Sequence, residues 1–466
     1  MDGLSSEYFS GVGIFGDIRL DRRLEITFEQ MAKRPTETLP KKLPSKTVLT
    51  GGYRMFNNPD VTHAKILEAH QRCCLEWLSQ LCEQSNGKEL TLLLLHDTTV
   101  LDYSGLNIEG LGQIGNGHGK GLYAHNSLAV LREGRQVVGL MNQILHRRDY
   151  APPRETRAAR AKRRSRESRL WRMAVEAQPP MPAGIRVIDV SDRGSDITEY
   201  IEYEIRHGRT FIVRSQHNRR LVSAADGTPL VRKLHERIRA RSAMHRYPVC
   251  LAGADGGRTV WMELAWEQLR LNPPRQKRGD HGREPLTVWA VLAREENPQD
   301  PKDPIEWILL TNQPIETAAD AQQVVSDYGC RWLDEDYHKA QKTGCGIEMT
   351  QMTQLHGLEN VIALTSVLAV HVLKLRCLAR DEKTKDEPAR AHEDELKVRL
   401  AARHTKHADW RTMTVWEFYI AVAKLGGYML NPEKRPPGWI ILWRGYTRLN
   451  DMAEGVSLLR ERCVET

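Results

Sequence analysis

The stretch YGCRWLDEDYHKAQK, residues 328–342, decides how the rest of the chain can be interpreted. Treated as one α-helix with about 100° between successive residues, it places a phenol, a carboxylate and several cations within about 80° of one another. The residues on this predicted face are Tyr328, Arg331, Glu335, Lys339 and Lys342. Such a face suits a divalent metal ion bound by the carboxylate, with a phosphate backbone held by the cations. An ordinary solvated helix with oppositely charged neighbours is the alternative.

The spacing within this stretch is more specific than its composition. Tyr328, Arg331, Glu335 and Lys342 match the pattern Y-(2)-R-(3)-E-(6)-K, which resembles the signature of the IS-four family of DDE transposases. The resemblance implies an α/β fold with an RNase H-like catalytic core, in which Glu335 is the last acid of a metal-binding D-D-E triad. The rest of the chain must then supply both aspartates, each at the end of a strand.

The first aspartate candidate follows the continuous apolar run Leu92–Leu95, which is typical of a strand buried on both faces. His96 and Asp97 interrupt the run, and we expect the strand to end there. A carboxylate in that position is costly unless it is paired or bound to a metal, although a capping role at a strand end would also explain it. The family has D-T-T at this point, so the resemblance implies that Asp97 is the first acid.

Three aspartates compete for the second position within GIRVIDVSDRGSDI, residues 184–197. The alternating, β-branched first half predicts a strand. Asp192 lies just past this strand, Asp196 opens the following helix, and Asp189 lies less favourably inside the strand. The family pattern D-R-x-x-D-I implies that Asp192 is catalytic and that Asp196 is a helix-start residue.

The resemblance also implies a set of side chains that contact DNA. The strand RTFIVRS ends at Arg214, which matches a phosphate-contacting arginine of the family. Trp307 opens the apolar strand WILL and aligns with a tryptophan that stacks on a flipped base in the family, although a core tryptophan would fit the same pattern. The complete set is Arg214, Trp307, Tyr328, Arg331, Lys339 and Lys342.

The N-terminal part, residues 1–70, is predicted to be a helical module that binds DNA ends. Its first helix has an apolar stripe that includes Leu24 and Phe28, and Pro35 ends it. The segments GDIRLDRRL and GGYRMFNNPDV resemble the family's end-recognition domain, whereas a solvated basic surface is the alternative. A second long helix is expected at about residues 62–84.

The catalytic core is predicted at residues 71–378, with a β-rich insertion at about residues 215–306. Thr317 is expected to cap the Glu335-bearing helix and Gly344 to end it. Residues 379–466 resemble the family's helical dimerisation domain, and their apolar unit includes the side chains Tyr419, Val422, Leu425 and Trp439.

Two further segments resemble features of other functional classes. Gly110, Gly112 and Gly115 spell G-x-G-x-x-G, but the further glycines up to Gly121 prevent a helix from starting there, which excludes a dinucleotide site. The basic segment Arg154–Arg172 favours a helix, which is either solvated or faces DNA.

Composition limits the remaining classes. The chain has 466 residues, more than one ordinary domain, and a net charge of +8 that permits a polyanionic partner. The mean hydropathy is −0.52. The N-terminal text has neither the cationic start nor the apolar run of a signal peptide, and the apolar stretch Val361–Leu373 is too short to span a membrane. The eight cysteines include no C-x-x-C pair, which argues against zinc and disulfide frameworks and fits a reducing cytoplasm.

The sequence therefore predicts a cut-and-paste DNA transposase in the bacterial cytoplasm, associated with the nucleoid. Asp97, Asp192 and Glu335 are the expected ligands of two Mg²⁺ ions about 3.5–4 Å apart, for which Mn²⁺ can substitute. The expected partners are the inverted-repeat ends of a transposon, target DNA and a second copy of the chain, with no membrane. The alternatives are a transposase-derived repressor and an RNase H-fold nuclease that cleaves without strand transfer.

Overall fold

The computed structural model describes residues 8–9, 13–149, 154–156, 159, 166–222, 233–251, 258–274, 281–300, 304–380, 384–432 and 437–464. The helices are α1 Ile18–Lys33, α2 Leu39–Lys42, α3 Lys46–Phe56, α4 His63–Gln84, α5 Leu170–Glu176, α6 Thr198–Arg206, α7 Leu234–Arg239, α8 Ala318–Gly329, α9 Trp332–Lys339, α10 Leu355–Arg380, α11 Glu395–Thr405, α12 Val415–Leu425 and α13 Trp439–Val464. The strands are β1 Leu90–Asp102, β2 Gly112–Gln113, β3 Lys120–Leu131, β4 Gln136–His146, β5 Ile185–Ser191, β6 Thr210–Arg214, β7 His245–Leu251, β8 Arg258–Leu271, β9 Leu286–Glu295 and β10 Glu306–Thr311.

The predicted α/β class is confirmed by one large mixed sheet with helices packed around it. The strand order is β2-β3-β1-β5-β6-β10-β9-β8-β7, and β4 pairs with β3. Strands β1, β5 and β6 run parallel, whereas β3 and β4 are antiparallel to their neighbours. The segment 215–306 contributes β7, β8 and β9, which extend the same sheet beyond β10. The predicted domain boundaries stay predictions.

Strand β1 does not end at Asp97, and this part of the prediction is wrong. The strand continues to Asp102 because β3 pairs with it up to the contact of Asp102 with Gly121. Its parallel partner β5 ends earlier, where His96 lies opposite Ser191. A side chain at position 121 would place its Cβ 2.0 Å from the Leu101 carbonyl oxygen, so only glycine allows this close pairing. Asp97 therefore lies within β1, just beyond the end of β5.

The predicted single helix that bears Glu335 is interrupted, and the uniform 100° projection is wrong. Helix α8 ends at Gly329, and a tight turn follows in which the Arg331 N–H donates to the Tyr328 carbonyl at 3.0 Å. Helix α9 then begins at Trp332, and a π-helical turn, Ala340–Gly344, ends the segment. Tight turns rotate successive side chains by more than an α-helix and π-turns by less, so the projection applies within α9 but not to Tyr328 before it or Lys342 after it.

The two ends of this interrupted segment agree with the sequence. The Thr317 hydroxyl accepts a hydrogen bond from the Asp320 N–H, and the Asp320 carboxylate accepts one from the Thr317 N–H. These two bonds form a capping box. At the other end, the π-helical turn stops at Gly344. The predicted helices near residues 18–33 and 62–84 are confirmed as α1 and α4.

Helix α10 lies at the centre of the largest apolar cluster, which also includes Phe28 of α1, Leu95 of β1 and Trp443 of α13. Among the described residues, one helix, Leu355–Lys374, is long and apolar enough to cross a membrane, and 83% of that window is buried inside the protein. The stretch is thus longer than the sequence suggested, and its burial is that of a core helix.

The C-terminal apolar unit packs mainly within its own chain. Tyr419, Val422 and Leu425 are buried, whereas Met429 and Leu430 are exposed at the surface. Three of the four side chains that suggested a dimer contact are therefore part of the intrachain core, and the fourth, Trp439, is half-buried against it. For the basic segment 154–172, the short helical turn Glu167–Arg169 and the start of α5 are described, and most of the rest lies outside the described residues.

Candidate functional site

Three acidic residues from separate elements approach one another where β5 ends. Asp97 comes from β1, Asp192 directly follows β5, and Glu335 lies on α9. Arg331 lies between two of them: its Nη1 donates to Asp97 Oδ2 at 3.1 Å and its Nη2 to Glu335 Oε1 at 2.8 Å. Arg331 lies in the turn between α8 and α9, and from there its guanidinium reaches Asp97 of β1.

The charge environment of Asp97 reflects this convergence. Burial raises the pKa of Asp97 to about 6, and the nearby charges of Asp192 and Glu335 raise it further, against the Thr98 N–H and the Arg331 guanidinium. Like-charged carboxylates raise each other's pKa only when they are close together. The predicted acids are therefore close enough for the charges of Asp192 and Glu335 to affect the pKa of Asp97.

The rival aspartates for the second position are held elsewhere by protein donors. Asp189 is buried and accepts from His96 Nε2 at 2.8 Å and from Arg209 Nη2 at 2.7 Å. Asp196 is also buried, accepts the Gln216 N–H at 2.6 Å, and forms an ion pair with Arg219. Both carboxylates fix the loops and strands beneath the site.

Asp192 has a different environment from its rivals. Its Oδ1 accepts the Gly194 N–H at 2.9 Å, which caps the short helical turn Arg193–Ser195. Its charge acts on Asp97 and on Tyr328. Among the three candidates, Asp192 is the one whose charge contributes to the raised pKa of Asp97.

Sequence reasoning missed a further buried acid, Asp334. This residue is fully buried, and its carboxylate has no hydrogen-bond partner among the described residues. Burial raises its pKa well above the ordinary value, and the charges of Asp97, Asp192 and Glu335 act in the same direction against Arg331. The sequence offers no signal for this environment, because neighbouring acids in a D-E-D run look alike until the packing of the helix is known.

Three of the predicted DNA-contacting side chains form a second group beside Asp192. The ring centroids of Trp307 and Tyr328 are 5.0 Å apart in an edge-to-face arrangement. Burial raises the pKa of Tyr328, against the charges of Arg331 and Arg214. Arg214 also donates from Nη2 to the Glu306 carbonyl at 3.1 Å. Trp307 is only partly buried, so it is not enclosed in the core.

The two predicted lysines lie farther from the acids. Lys339 is exposed, and its Nζ lies 3.9 Å from Asp336, whose other oxygen pairs with Arg376 at 2.5 Å. Lys342 Nζ lies 3.3 Å from Glu348 Oε1. The structure therefore brings Arg331 into contact with the acids and directs both lysines to other carboxylates.

The three carboxylates at this site are possible ligands of the predicted Mg²⁺. The converging side chains are carboxylates, which are the ligands that Mg²⁺ prefers, and the pKa of Asp97 is raised first by burial and then by the charge of Asp192. In the part of the chain that is described, no group of three or more His, Cys, Asp or Glu side chains is arranged to hold a metal ion. The carboxylate oxygens therefore suit Mg²⁺ by their chemistry. In this structure, the cation that contacts Asp97 and Glu335 is the Arg331 guanidinium, which lies between them.

The N-terminal helices expose cations and are anchored to the segment that follows α9. Arg22, Lys46 and Arg54 are exposed, a distribution suited to phosphate contacts. Lys42 is buried instead and donates from Nζ to the Cys345 carbonyl at 2.6 Å, just after the π-helical turn. Burial lowers the pKa of Lys42 to about 8.

This N-terminal region has a recognisable relative among protein families. A family model described as "Transposase DNA-binding" matches residues 12–61, which include α1, α2 and α3. The chain thus combines a helical DNA-binding domain with a large mixed α/β unit, and DNA is its partner. More particularly, the DNA-binding domain is of the transposase type, which supports a transposase and a DNA-processing role.

Proposed function

We propose that the protein is a cut-and-paste DNA transposase of the DDE type. The observation that carries this proposal is the approach of Asp97, Asp192 and Glu335 to one another, with Arg331 in contact with Asp97 and Glu335, in a chain with a transposase DNA-binding domain. We assign it to the IS-four family because the sequence around Glu335 resembles that of the transposase of the bacterial transposon Tn-five. The proposed location is the bacterial nucleoid.

The strand order supports an RNase H-like catalytic core. Strands β4, β3 and β1 are antiparallel neighbours, and β5 and β6 continue from β1 in parallel. This arrangement brings the middle of β1 and the exit of β5 to the same place in the sheet. Ligands of open α/β sheets bind at such strand ends, and the acid from α9 closes the site from the adjacent layer.

The proposed chemistry is in-line displacement at phosphorus by water or by a 3′-hydroxyl. Asp97, Asp192 and Glu335 would hold two Mg²⁺ ions, which activate the attacking oxygen and stabilise the leaving oxygen. The chain's own cations would position the DNA: Arg331 contacts Asp97 and Glu335, and Arg214 acts on the neighbouring Tyr328, so we assign both to phosphate oxygens near the scissile bond. Lys339 and Lys342 extend the phosphate-binding surface along the Glu335 segment.

A base-stacking role is proposed for Trp307. Its partly exposed indole packs edge-to-face against Tyr328, and Arg214 acts on the same tyrosine. A DNA hairpin strains the stacked end of the duplex, and extruding one base relieves this strain at a cost of a few kcal/mol. Stacking of the extruded base on an indole returns about 1–3 kcal/mol.

A synaptic homodimer completes the proposal, since one active site per DNA end requires paired subunits. The described C-terminal unit exposes apolar side chains that are available for a contact with a second copy, namely Met429, Leu430 and Ile440. These residues replace the buried set that the sequence suggested.

The proposal is tested by Glu335→Ala on a duplex that carries the inverted repeat bordering the gene. We expect Mg²⁺-dependent nicking to disappear while binding of the duplex is retained within about twofold. Asp336→Asn is the matched control, because Asp336 is on the same helix but pairs with Arg376. Full nicking by Glu335→Ala, or no metal-dependent nicking by the unaltered chain, would contradict the proposal.

The products distinguish the alternatives. Transfer of the cut 3′ end into a second duplex is expected of a transposase. Cleavage without joining would indicate a related nuclease. Binding of the ends without any cleavage would indicate a transposase-derived repressor.

A further inference from the structure

A line of polar side chains crosses the sheet beside Asp97. Asn126 of β3 lies directly opposite Asp97, and Gln143 of β4 lies directly opposite Asn126. Residues paired in this way project from the same face of a sheet. Asn126 and Gln143 are buried, which makes their hydrogen bonds costly to lose.

These side chains belong to a continuous hydrogen-bonded chain. His63 Nε2 lies 3.0 Å from Gln143 Oε1, Gln143 Nε2 donates to Asn126 Oδ1 at 2.7 Å, and Asn126 Nδ2 lies 3.1 Å from His338 Nε2. We call His63, Gln143, Asn126 and His338 the buried polar chain.

The direction of each bond in the buried polar chain is fixed by its neighbours. Gln143 uses its amide N–H toward Asn126, so its oxygen must accept from His63. Asn126 accepts with its oxygen, so its amide N–H must donate to His338. Burial lowers the pKa of His338 to about 3, which keeps its imidazole neutral and able to accept.

The chain ends on the helix that bears the last proposed acid. His338 lies three residues after Glu335 on α9, close to one helical turn. A neighbouring residue ties α9 to α10, because Tyr337 donates from its hydroxyl to the Ser366 carbonyl at 3.0 Å. Ser366 Oγ also accepts from Gln143 Nε2 at 2.9 Å.

The opposite end of the chain lies next to the DNA-binding domain. The family match ends at residue 61, and His63 is the first residue of α4. Asn360 of α10 donates to the Val61 carbonyl at 2.8 Å and fixes the same junction. The buried polar chain therefore connects the end of the DNA-binding domain with the Glu335 helix.

We propose that Asn126 and Gln143 are positioning residues that set the rotation of α9 and thereby the separation of Glu335 from Asp97. The inference rests on the proposed function, because it assigns these amides a task in the same active site. Neither amide contacts the scissile DNA in this assignment. Each acts through His338.

The test uses Gln143→Met and Asn126→Leu, which keep volume but remove the amides. Mn²⁺ binding is measured by electron paramagnetic resonance on the full chain bound to the inverted-repeat duplex, with the Glu335→Ala complex as the baseline. We expect the amide variants to bind Mn²⁺ about 10-fold to 100-fold more weakly, as for other residues that orient metal ligands. Their nicking should need correspondingly more Mn²⁺, with duplex affinity unchanged within about twofold.

Asn142→Leu is the matched control for loss of a buried amide. Asn142 neighbours Gln143 on β4, faces the other side of the sheet, and donates to the Ala174 carbonyl at 3.2 Å. Its loss should lower thermal stability as much as Gln143→Met but leave the Mn²⁺ dependence unchanged. An equal loss of Mn²⁺ affinity in Asn142→Leu would overturn the proposal, since general destabilisation would then explain the effect.

A second pair of variants keeps the test independent of folding defects at the amides. His338→Gln retains an acceptor oxygen, whereas His338→Phe retains a ring without an acceptor. We expect His338→Gln to bind Mn²⁺ more tightly than His338→Phe, and equal affinities would refute the role of the acceptor. Absence of Mn²⁺ binding by the unaltered complex would instead contradict the proposed function.

Discussion

Lys42 provides a quantitative test of how the DNA-binding domain is attached to the segment that follows α9. Its ammonium is buried and donates to the Cys345 carbonyl at 2.6 Å. Burial lowers the pKa of Lys42 from 10.5 to about 8, against smaller opposing effects of Cys345 and Glu37. The folded chain therefore releases this proton at a lower pH than the unfolded chain does.

The sign of the effect follows from proton counting. Between about pH 8 and 10.5 the unfolded chain holds the Lys42 proton and the folded chain does not, so the free energy of unfolding rises with pH. For these two pKa values, linkage gives a gain of about 2 kcal/mol between about pH 7 and pH 9.5. The gain is lost as the pH falls through the folded pKa.

Lys42→Met removes this dependence. At neutral pH the variant avoids the buried ammonium but loses its hydrogen bond, worth about 1–3 kcal/mol, so its stability should be close to that of the unaltered chain. At pH 9.5 the variant should be less stable than the unaltered chain. The difference in free energy of unfolding between the two proteins should change by about 2 kcal/mol from pH 7 to pH 9.5.

The measurement is the denaturant midpoint of each protein at several values in this pH range. Lys41→Met is the matched control, because the neighbouring Lys41 side chain is 70% exposed and pairs with Glu37. A stability difference between Lys42→Met and the unaltered chain that does not change with pH would refute the reasoning. The same change in Lys41→Met would refute it as well.

Three further predictions concern the proposed activity. Asp192→Asn should abolish nicking of the inverted-repeat duplex with folding intact, whereas Asp196→Asn should lower the thermal midpoint because its loop bonds are lost; an active Asp192→Asn would disprove that assignment. Trp307→Ala should permit the first nick but slow hairpin formation, as gel analysis would resolve, with partial rescue by a duplex that lacks the extruded base; equal loss of both steps would indicate a core role. Substituting the exposed Met429 and Leu430 by serine should prevent paired-end complexes in native gels while single-end binding persists, and normal pairing would exclude this contact surface.

Features with local causes were predictable from the sequence. Thr317 and Asp320 form their capping box within four residues, so the start of α8 could be identified from residue types alone. The apolar run Leu92–Leu95 predicted a buried strand, and these side chains are buried as expected. The end of that strand was not predictable, because the pairing of β1 beyond Asp97 depends on β3, a partner distant in sequence.

Features with tertiary causes were missed for the same reason. Gly329 marks a point where the helix can break, but the residue types alone do not show that the Arg331 guanidinium then reaches Asp97. The burial of Asp334 and the bonds of Asn126 and His338 arise only after α9 packs against the sheet. Spacing could therefore nominate Asp97, Asp192 and Glu335, but it could not identify the residues that hold them in place.

We expect the carboxylates at the site to require a further cation when DNA is bound. Asp97, Asp192 and Glu335 converge, and Arg331 is the guanidinium that contacts two of them. Burial and the charges of Asp192 and Glu335 raise the pKa of Asp97 to about 6, and within the described residues the Arg331 guanidinium is the cation seen in contact with these acids. Buried like charges are stable only with compensation, and DNA brought to this site would add phosphate charge. If Arg331 also binds that phosphate, the acids lose the cation they now contact, and divalent ions are the compensation that an all-carboxylate site selects. Mg²⁺ binding should therefore be stronger in the DNA complex than in the free chain, and calorimetry that finds the opposite order would contradict this charge argument.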